Sequence, residues 1–301
     1  MWPQAPDPPR IKFLYAFQEP KDLGLSRSVF TRLWGLIAGK RQWKMARPYA
    51  IAVEGDTIAV ADPGVRAVHV FDLARKKYRP IAKAGDEFLE SPVGVAIGAD
   101  RIYLADSGLQ KVFIFDNRGR YLSSIAGLAR PTGLALDAGT QRLYVADTLK
   151  HRIAVFDREG KELFSFDDRG EDTGRFNYPT HLFLKAGMLF VNDTMNFRLQ
   201  IFDLDGNKLA AFGTHGNSSG HFAQPKGVAV DEEGHIYVAD ALFNRVQIFD
   251  RRGRFLLAFG QLGGNAGNFW LPAGLFIAQD RVYVADSYNE RIQVFQFLGG
   301  G

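Results

Sequence analysis

The chain has 301 residues, 46% hydrophobic and 23% charged, with a formal net charge of +4 and no cysteine. Those shares are ordinary for a globular chain, and the missing thiol excludes disulfides, thiol catalysis and Cys-type metal sites together. No apolar run reaches the roughly 18 residues that a membrane helix needs.

Residues 1–10, MWPQAPDPPR, hold four prolines and no apolar periodicity, which predicts an extended linker. No signal-peptide pattern is visible at the start. A Pro-rich lead of this kind often remains after a secretion signal or lipid anchor is removed, so a periplasmic or extracellular location is expected, with a cytoplasmic one as the alternative. Ile11 to Gln18, IKFLYAFQ, reads as a strand. Residues 21–47 read as a basic helical insertion: Ser28 caps a helix with Phe30, Leu33, Trp34 and Ile37 on one face and Gly39 as its stop. From Leu23 to Val53 there are six Lys or Arg and no Asp or Glu, so the rest of the +4 chain stands at −2. The basic character is therefore local, and nucleic acid is a poor expectation for the whole surface.

From Pro48 onward one pattern recurs. Pro48, Pro92, Pro131, Pro179, Pro225 and Pro272 each open an apolar run, at spacings of 44, 39, 48, 46 and 47 residues. A second run ends on aspartate in every copy, at Asp62, Asp106, Asp147, Asp193, Asp240 and Asp286. A basic residue follows, at Arg66, Lys111, Arg152, Arg198, Arg245 and Arg291, and then a third run such as VHVFD or VQIFD. Runs of four to five residues rich in Val, Ile, Phe and Tyr read as strands. Asp116, Asp157, Asp203 and Asp250 each precede a glycine by three residues, predicting tight turns into a fourth strand. The first copy lacks that glycine, and its ARKKYRP predicts a longer, basic turn. Phe88, Phe176, Phe222 and Phe269 recur before the prolines and are expected to fill the wedges between units.

These motifs resemble the NHL repeat, over nearly the whole chain from Pro48 to Phe297. No Trp is followed by Asp, as WD40 blades would require. The resemblance implies an all-β fold, a six-bladed β-propeller of four-stranded antiparallel blades. The sixth copy ends after its third strand at Phe297, so residues 11–18 are expected to supply its fourth strand and close the ring. The expected organisation is a 1–10 linker, one propeller over 11–298 and a 299–301 glycine tail.

The six aspartates and their basic partners recur in every copy, which marks them as scaffold, in turns or interblade ion pairs. The string Gly216-Asn217-Ser218-Ser219-Gly220 matches G-x-S-x-G but lies in a link ahead of a strand, where a nucleophile elbow does not form. His181 replaces the glycine two places after the proline, and His215 and His221 share one link; these three are the weak metal candidates. No C-x-x-C-H motif is present, and no cofactor is expected.

Function is expected where the copies differ on the face that carries the links and the turns between second and third strands. Tyr49, Lys226, Phe197, Phe243 and Tyr288 fall there, with Arg41, Trp34 and Trp43 of the insertion. The expected role is a non-enzymatic scaffold, acting as a monomer, that docks a protein or peptide. A membrane surface bound through 21–47 is a second reading, although packing of that segment on the propeller rim is favoured over it. The alternatives are a metal-dependent lyase resembling peptidylglycine lyases and an RNA-binding module. The pattern is also similar to exported bacterial NHL proteins often encoded near multihaem cytochromes, which implies an envelope or electron-transfer partner.

Overall fold

The computed structural model describes residues 1–3, 10–27, 43–167 and 175–298. The repeats form six blades of antiparallel strands; blades 1 to 5 run in sequence order from the centre outward through four strands, blade 1 gaining a short fifth at its edge, and blade 6 takes its outermost strand from the N-terminal segment. Blade 5 is the most regular, built from Pro225–Val230, Ile236–Asp240, Arg245–Phe249 and Phe255–Phe259. Second and third strands are apolar at almost every position because neighbouring blades cover both of their faces. Thr57–Asp62, for example, is buried from Ile58 onward. The fourth strands lie at the rim, and Lys208–Phe212 is exposed along most of its length.

The core therefore lies between blades. Phe176 packs on Phe202, Phe222 on Phe249 and Phe269 on Phe295, with ring centroids 5.4 to 5.8 Å apart, so three of the four link aromatics fill wedges as expected. Phe88 does not: it is exposed beneath the Lys83 ammonium, and Leu89 is buried instead. The cause is a small hairpin, Lys83–Ala84 with Glu87–Phe88, which turns the aromatic outward.

Sheet six is Leu275–Ala278, Arg281–Asp286 and Arg291–Phe297, completed by Ile11–Phe17. The N-terminal strand runs antiparallel to the last one, from Ile11 opposite Phe297 to Phe17 opposite Ile292. Ile11 and Phe17, at its two ends, are buried. The ring is thus closed by strands from the two ends of the chain, as the missing fourth strand predicted. The lead before it departs from an extended linker at one point. The Trp2 indole contacts Phe259 and Phe295, because a large apolar ring gains more from that wedge than from water.

The Asp-Gly turns form as expected, with positive φ at Gly119, Gly160, Gly206 and Gly253. The first blade's turn is not longer. Four residues separate Asp72 from Lys77, as four separate Asp116 from Tyr121, but the bulge is absent and Lys76 takes the left-handed conformation at φ 50°.

The insertion begins near Asn289, whose carbonyl accepts from the Gln18 side chain, and its described start then leaves that face. After a short turn at Pro20–Leu23, Ser26–Arg27 pairs in parallel with Lys77 and Tyr78 on the outer edge of blade 1. Leu25 and Met45 are buried, and Trp43 packs half-buried against the same apolar cluster as Phe17 and Phe71. The proposed helix capped by Ser28, with Trp34 and Arg41, lies outside the described residues.

Candidate functional site

The six first strands surround a central channel with a cavity of about 690 Å³. Its walls are largely aliphatic, including Ile51, Val95, Leu134, Leu182, Val228 and Leu275, and it reaches the exposed turn at Glu54, Gly55 and Asp56. First strands approach closely there. A Cβ added to Gly94 would run into the Thr132 carbonyl, one on Gly133 into Thr180, and one on Gly274 into Tyr49. That close approach is why this position is glycine in four of the six repeats.

Repeat four breaks the rule twice. His181 occupies the glycine position, and Asn192 replaces the alanine found before the strand-ending aspartate in every other repeat. The Asn192 amide donates to the Lys226 carbonyl at 2.5 Å, bridging blades 4 and 5. His181 Nδ1 lies 3.0 Å from the Thr180 hydroxyl, while its Nε2 and the Asn192 Oδ1 are buried with no hydrogen-bond partner among the described residues.

Tyr49 of blade 1 reaches across to His181, with ring centroids 5.4 Å apart, and the Lys226 ammonium lies 5.3 Å from the Tyr49 ring centre. Three residues from three blades therefore meet at the link-face end of the channel. Burial, with a smaller contribution from Lys226, lowers the His181 pKa to about 3, so the ring is neutral at physiological pH. Burial also lowers the Lys226 pKa, with the Arg47 charge acting in the same direction. The Tyr49 phenol is pushed up by burial, against an opposing effect of Arg130.

Around this centre each turn between second and third strands is set by its aspartate. All six aspartates are fully buried, and they accept hydrogen bonds from the backbone amides of the incoming link, as Asp106 does from Glu90 and Ser91 at 2.9 Å each. The next residue ties the turn to the following blade: Ser107, Thr148 and Ser287 donate to the carbonyls of Pro131, Pro179 and Pro48. With both flanks fixed, the residue two places after the aspartate stands at the apex. In blades 3 to 6 it is Leu149, Met195, Leu242 and Tyr288, and these four with Trp270 are 45% to 58% exposed. In blades 1 and 2 it is Gly64 or Gly108, where a Cβ would crowd Ala46 or Glu90.

The expected ion pairs form in only part of the ring. Arg198 and Arg291 bind Asp193 and Asp286 at 2.8 Å, and Arg152 stands 3.7 Å from Asp147. Lys111 pairs with Glu87 instead, and Arg245 lies over Phe243 at 4.4 Å. In blade 1 the buried His69 takes the place near Asp62, at 3.5 Å. Burial pushes the Asp62 carboxyl up, but His69 and the Ala46 and Arg47 amides outweigh it and hold it below its ordinary value.

Of the residues singled out in the sequence, Tyr49 and Lys226 converge with His181. Tyr288 is exposed at an apex, between Trp270 at 5.6 Å and the Arg47 guanidinium at 5.2 Å. Phe197 is half-buried against His215, with centroids 4.3 Å apart. His221 bonds to the Ser218 hydroxyl at 2.9 Å within its own link, so the G-x-S-x-G string forms a local turn. Among the described residues no three His, Asp or Glu side chains form a group that could hold a metal ion. Sequence reasoning missed Leu149, Met195 and Leu242, and also Arg47 and Arg130 just ahead of their prolines. Their fixed distance from the aspartate or proline was the signal available.

The NHL repeat family matches residues 128–156, 222–249 and 269–295. Each stretch runs from a buried wedge residue, Leu128, Phe222 or Phe269, through the third strand of its blade. The chain is an NHL-repeat propeller. Among solved structures, a streptogramin B lyase superposes on it with a TM-score of 0.62 at 13% identity, covering 84% of this propeller and 94% of its own chain. Virginiamycin B lyase from Staphylococcus aureus gives 0.60 at 12%, covering 84% and 96%. Hydrazine synthase of Kuenenia stuttgartiensis gives 0.62 at 12%, with the same coverage. At these identities the likeness is one of fold. No curated protein matches the chain.

Proposed function

We propose that this NHL propeller is a docking module that binds a protein or peptide on the face carrying the links and turn apices. The arc of Leu149, Met195, Leu242 and Tyr288, continued by Trp270, carries the reading. Large apolar side chains held in water at one repeated position, on turns fixed by buried aspartates, form the kind of exposed patch that marks an interaction surface. Tyr and Trp at its blade 6 end suit binding hot spots.

A lyase reading draws on the fold shared with the streptogramin and virginiamycin B lyases. A metal-dependent version would need ligands that converge, and among the described residues no group of three His, Asp or Glu does so. An RNA-binding module would need a broad basic face with stacking rings. The apices of blades 3 to 5 are aliphatic instead.

Affinity capture from source-cell extract tests the docking reading, with the wild-type chain and a Met195→Ser, Leu242→Ser variant compared side by side. A protein held by the first and lost from the second supports it. Equal retention by both, with matching melting curves, overturns it.

A further inference from the structure

We propose that the central channel is a blind binding pocket for a neutral small molecule, mainly apolar and built on a ring, which enters from the face opposite the turn apices. The inference goes beyond the docking reading and is independent of it.

One repeated position shapes the pocket. Four places after the opening proline stands alanine in blades 1, 2, 3 and 5, as Ala52, Ala96, Ala135 and Ala229, but phenylalanine in blades 4 and 6. Phe183 and Phe276 meet across the channel edge to face, with ring centroids 5.5 Å apart, and Phe276 also packs against the apolar cluster shared by blades 1 and 2. The two rings line the same cavity as Ala52, Ala96 and Ala135, so space is left where the alanines stand, beside an aromatic wall. The two ends of the cavity differ. At the link face Tyr49 closes over His181, whereas the other end reaches the exposed Glu54, Ala99 and Gln279, at the turns between first and second strands. In a meander those turns emerge on the face opposite Leu149, Met195 and Leu242.

The lining decides the kind of ligand. Its charged residues, Glu54, Asp56, Lys185 and Arg281, belong to strand ends and turns at the mouth, and His181 at the closed end is neutral. An ion drawn inside would lose its hydration without a charged partner, which is costly. The first strands have no neighbour on their inner side, so their free backbone amides and carbonyls can meet a hydroxyl or carbonyl of an uncharged guest. The cavity of about 690 Å³ is of the size that small-molecule sites have, about 300–1,000 Å³. The Phe183 and Phe276 rings offer faces and edges on which a further ring packs well.

N-phenylnaphthylamine, a neutral fluorescent probe with two ring systems, titrated into the full chain, is the test. Saturable binding of one probe per chain is expected, with a melting temperature that rises with probe concentration. Ala135→Phe gives blade 3 the side chain that blades 4 and 6 already carry, fills the free space and should weaken binding about tenfold or more. Phe276→Leu keeps much of the volume but removes a ring from the wall, and should weaken binding about two- to tenfold. Met195→Ser with Leu242→Ser, on the opposite face, should leave the affinity unchanged. Absence of saturable binding overturns the inference, as does an affinity that either folded channel variant leaves unchanged. Binding lost in the Met195→Ser, Leu242→Ser variant also overturns it, because the probe then sits on the docking face. If Ala135→Phe does not fold, Phe276→Leu decides.

Discussion

His181 of blade 4 and Tyr49 of blade 1 meet across the channel axis, their ring centroids 5.4 Å apart, closing its link-face end. Burial of the imidazole ties the propeller's stability to pH. Folding lowers the His181 pKa to about 3 through burial, whereas an unfolded chain returns it to about 6.5. Between those values the unfolded state takes up the proton and the folded state does not. The stability that this group confers is complete above about pH 6.5 and falls by about 1.4 kcal/mol per pH unit below it. Urea unfolding of wild type and His181→Gln from pH 7.5 to 4.5 should show a shallower loss in the variant. Parallel slopes would contradict the buried neutral imidazole.

Ring closure makes a second expectation. Phe17 is buried against Phe71, with ring centroids 5.4 Å apart. Phe17→Ala should cost about 3–5 kcal/mol, a drop in melting temperature of about 6–20 °C at 2–4 °C per kcal/mol. Removing residues 1–18 should lower it further, since it also exposes the edge of Arg291–Phe297. Melting curves that coincide with wild type would rule out the closure.

The repeated aspartate and its basic follower should behave very differently. Asp106 accepts from four backbone amides, those of Glu90, Ser91, Gly108 and Leu109, at 2.9 to 3.1 Å. Asp106→Ala leaves those donors without their acceptor, and a loss of about 3–5 kcal/mol is expected. Lys111 reaches the exposed Glu87, so Lys111→Met should change stability by less than about 1 kcal/mol. Chemical denaturation of the two variants measures the contrast, and equal losses would reject it.

Six non-glycine residues, four places after each aspartate, are held at φ from 52° to 57°: Arg66, Gln110, His151, Phe197, Asn244 and Glu290. Gln110 is exposed and makes no side-chain hydrogen bond among the described residues. Gln110→Gly should therefore stabilise the chain by roughly 1 kcal/mol, whereas Gln110→Val should destabilise it. Thermal melts that show no difference between the two would count against a strained turn.

The propeller was legible in the sequence because its determinants are local and repeated: proline, aspartate, basic residue and glycine recur at set distances. The missing fourth strand of blade 6 could be named from one comparison of copies. What escaped depends on contacts between copies. Phe88 leaves its wedge because of a hairpin two residues long, and Lys111 turns to Glu87 because that hairpin brings Glu87 within reach. At the site, His181 was visible as a departure, but its meeting with Tyr49 of the opposite blade needed the geometry of the closed ring. The apex residues Leu149, Met195 and Leu242 escaped because the turn's outward direction is set by links that join different blades.

The pairing of Ile11–Phe17 with Arg291–Phe297 also has a consequence for synthesis. Ile11–Phe17 finds its neighbour only after roughly 280 more residues have been added, some tens of seconds at ordinary elongation rates. Until then its backbone and its apolar ends, Ile11 and Phe17, have no native partner. Blades 1 to 5 can form as they emerge, but the circle stays open until the final blade arrives. The growing propeller is therefore most vulnerable to mispairing at Ile11–Phe17, and the arrival of Arg291–Phe297 ends that exposure.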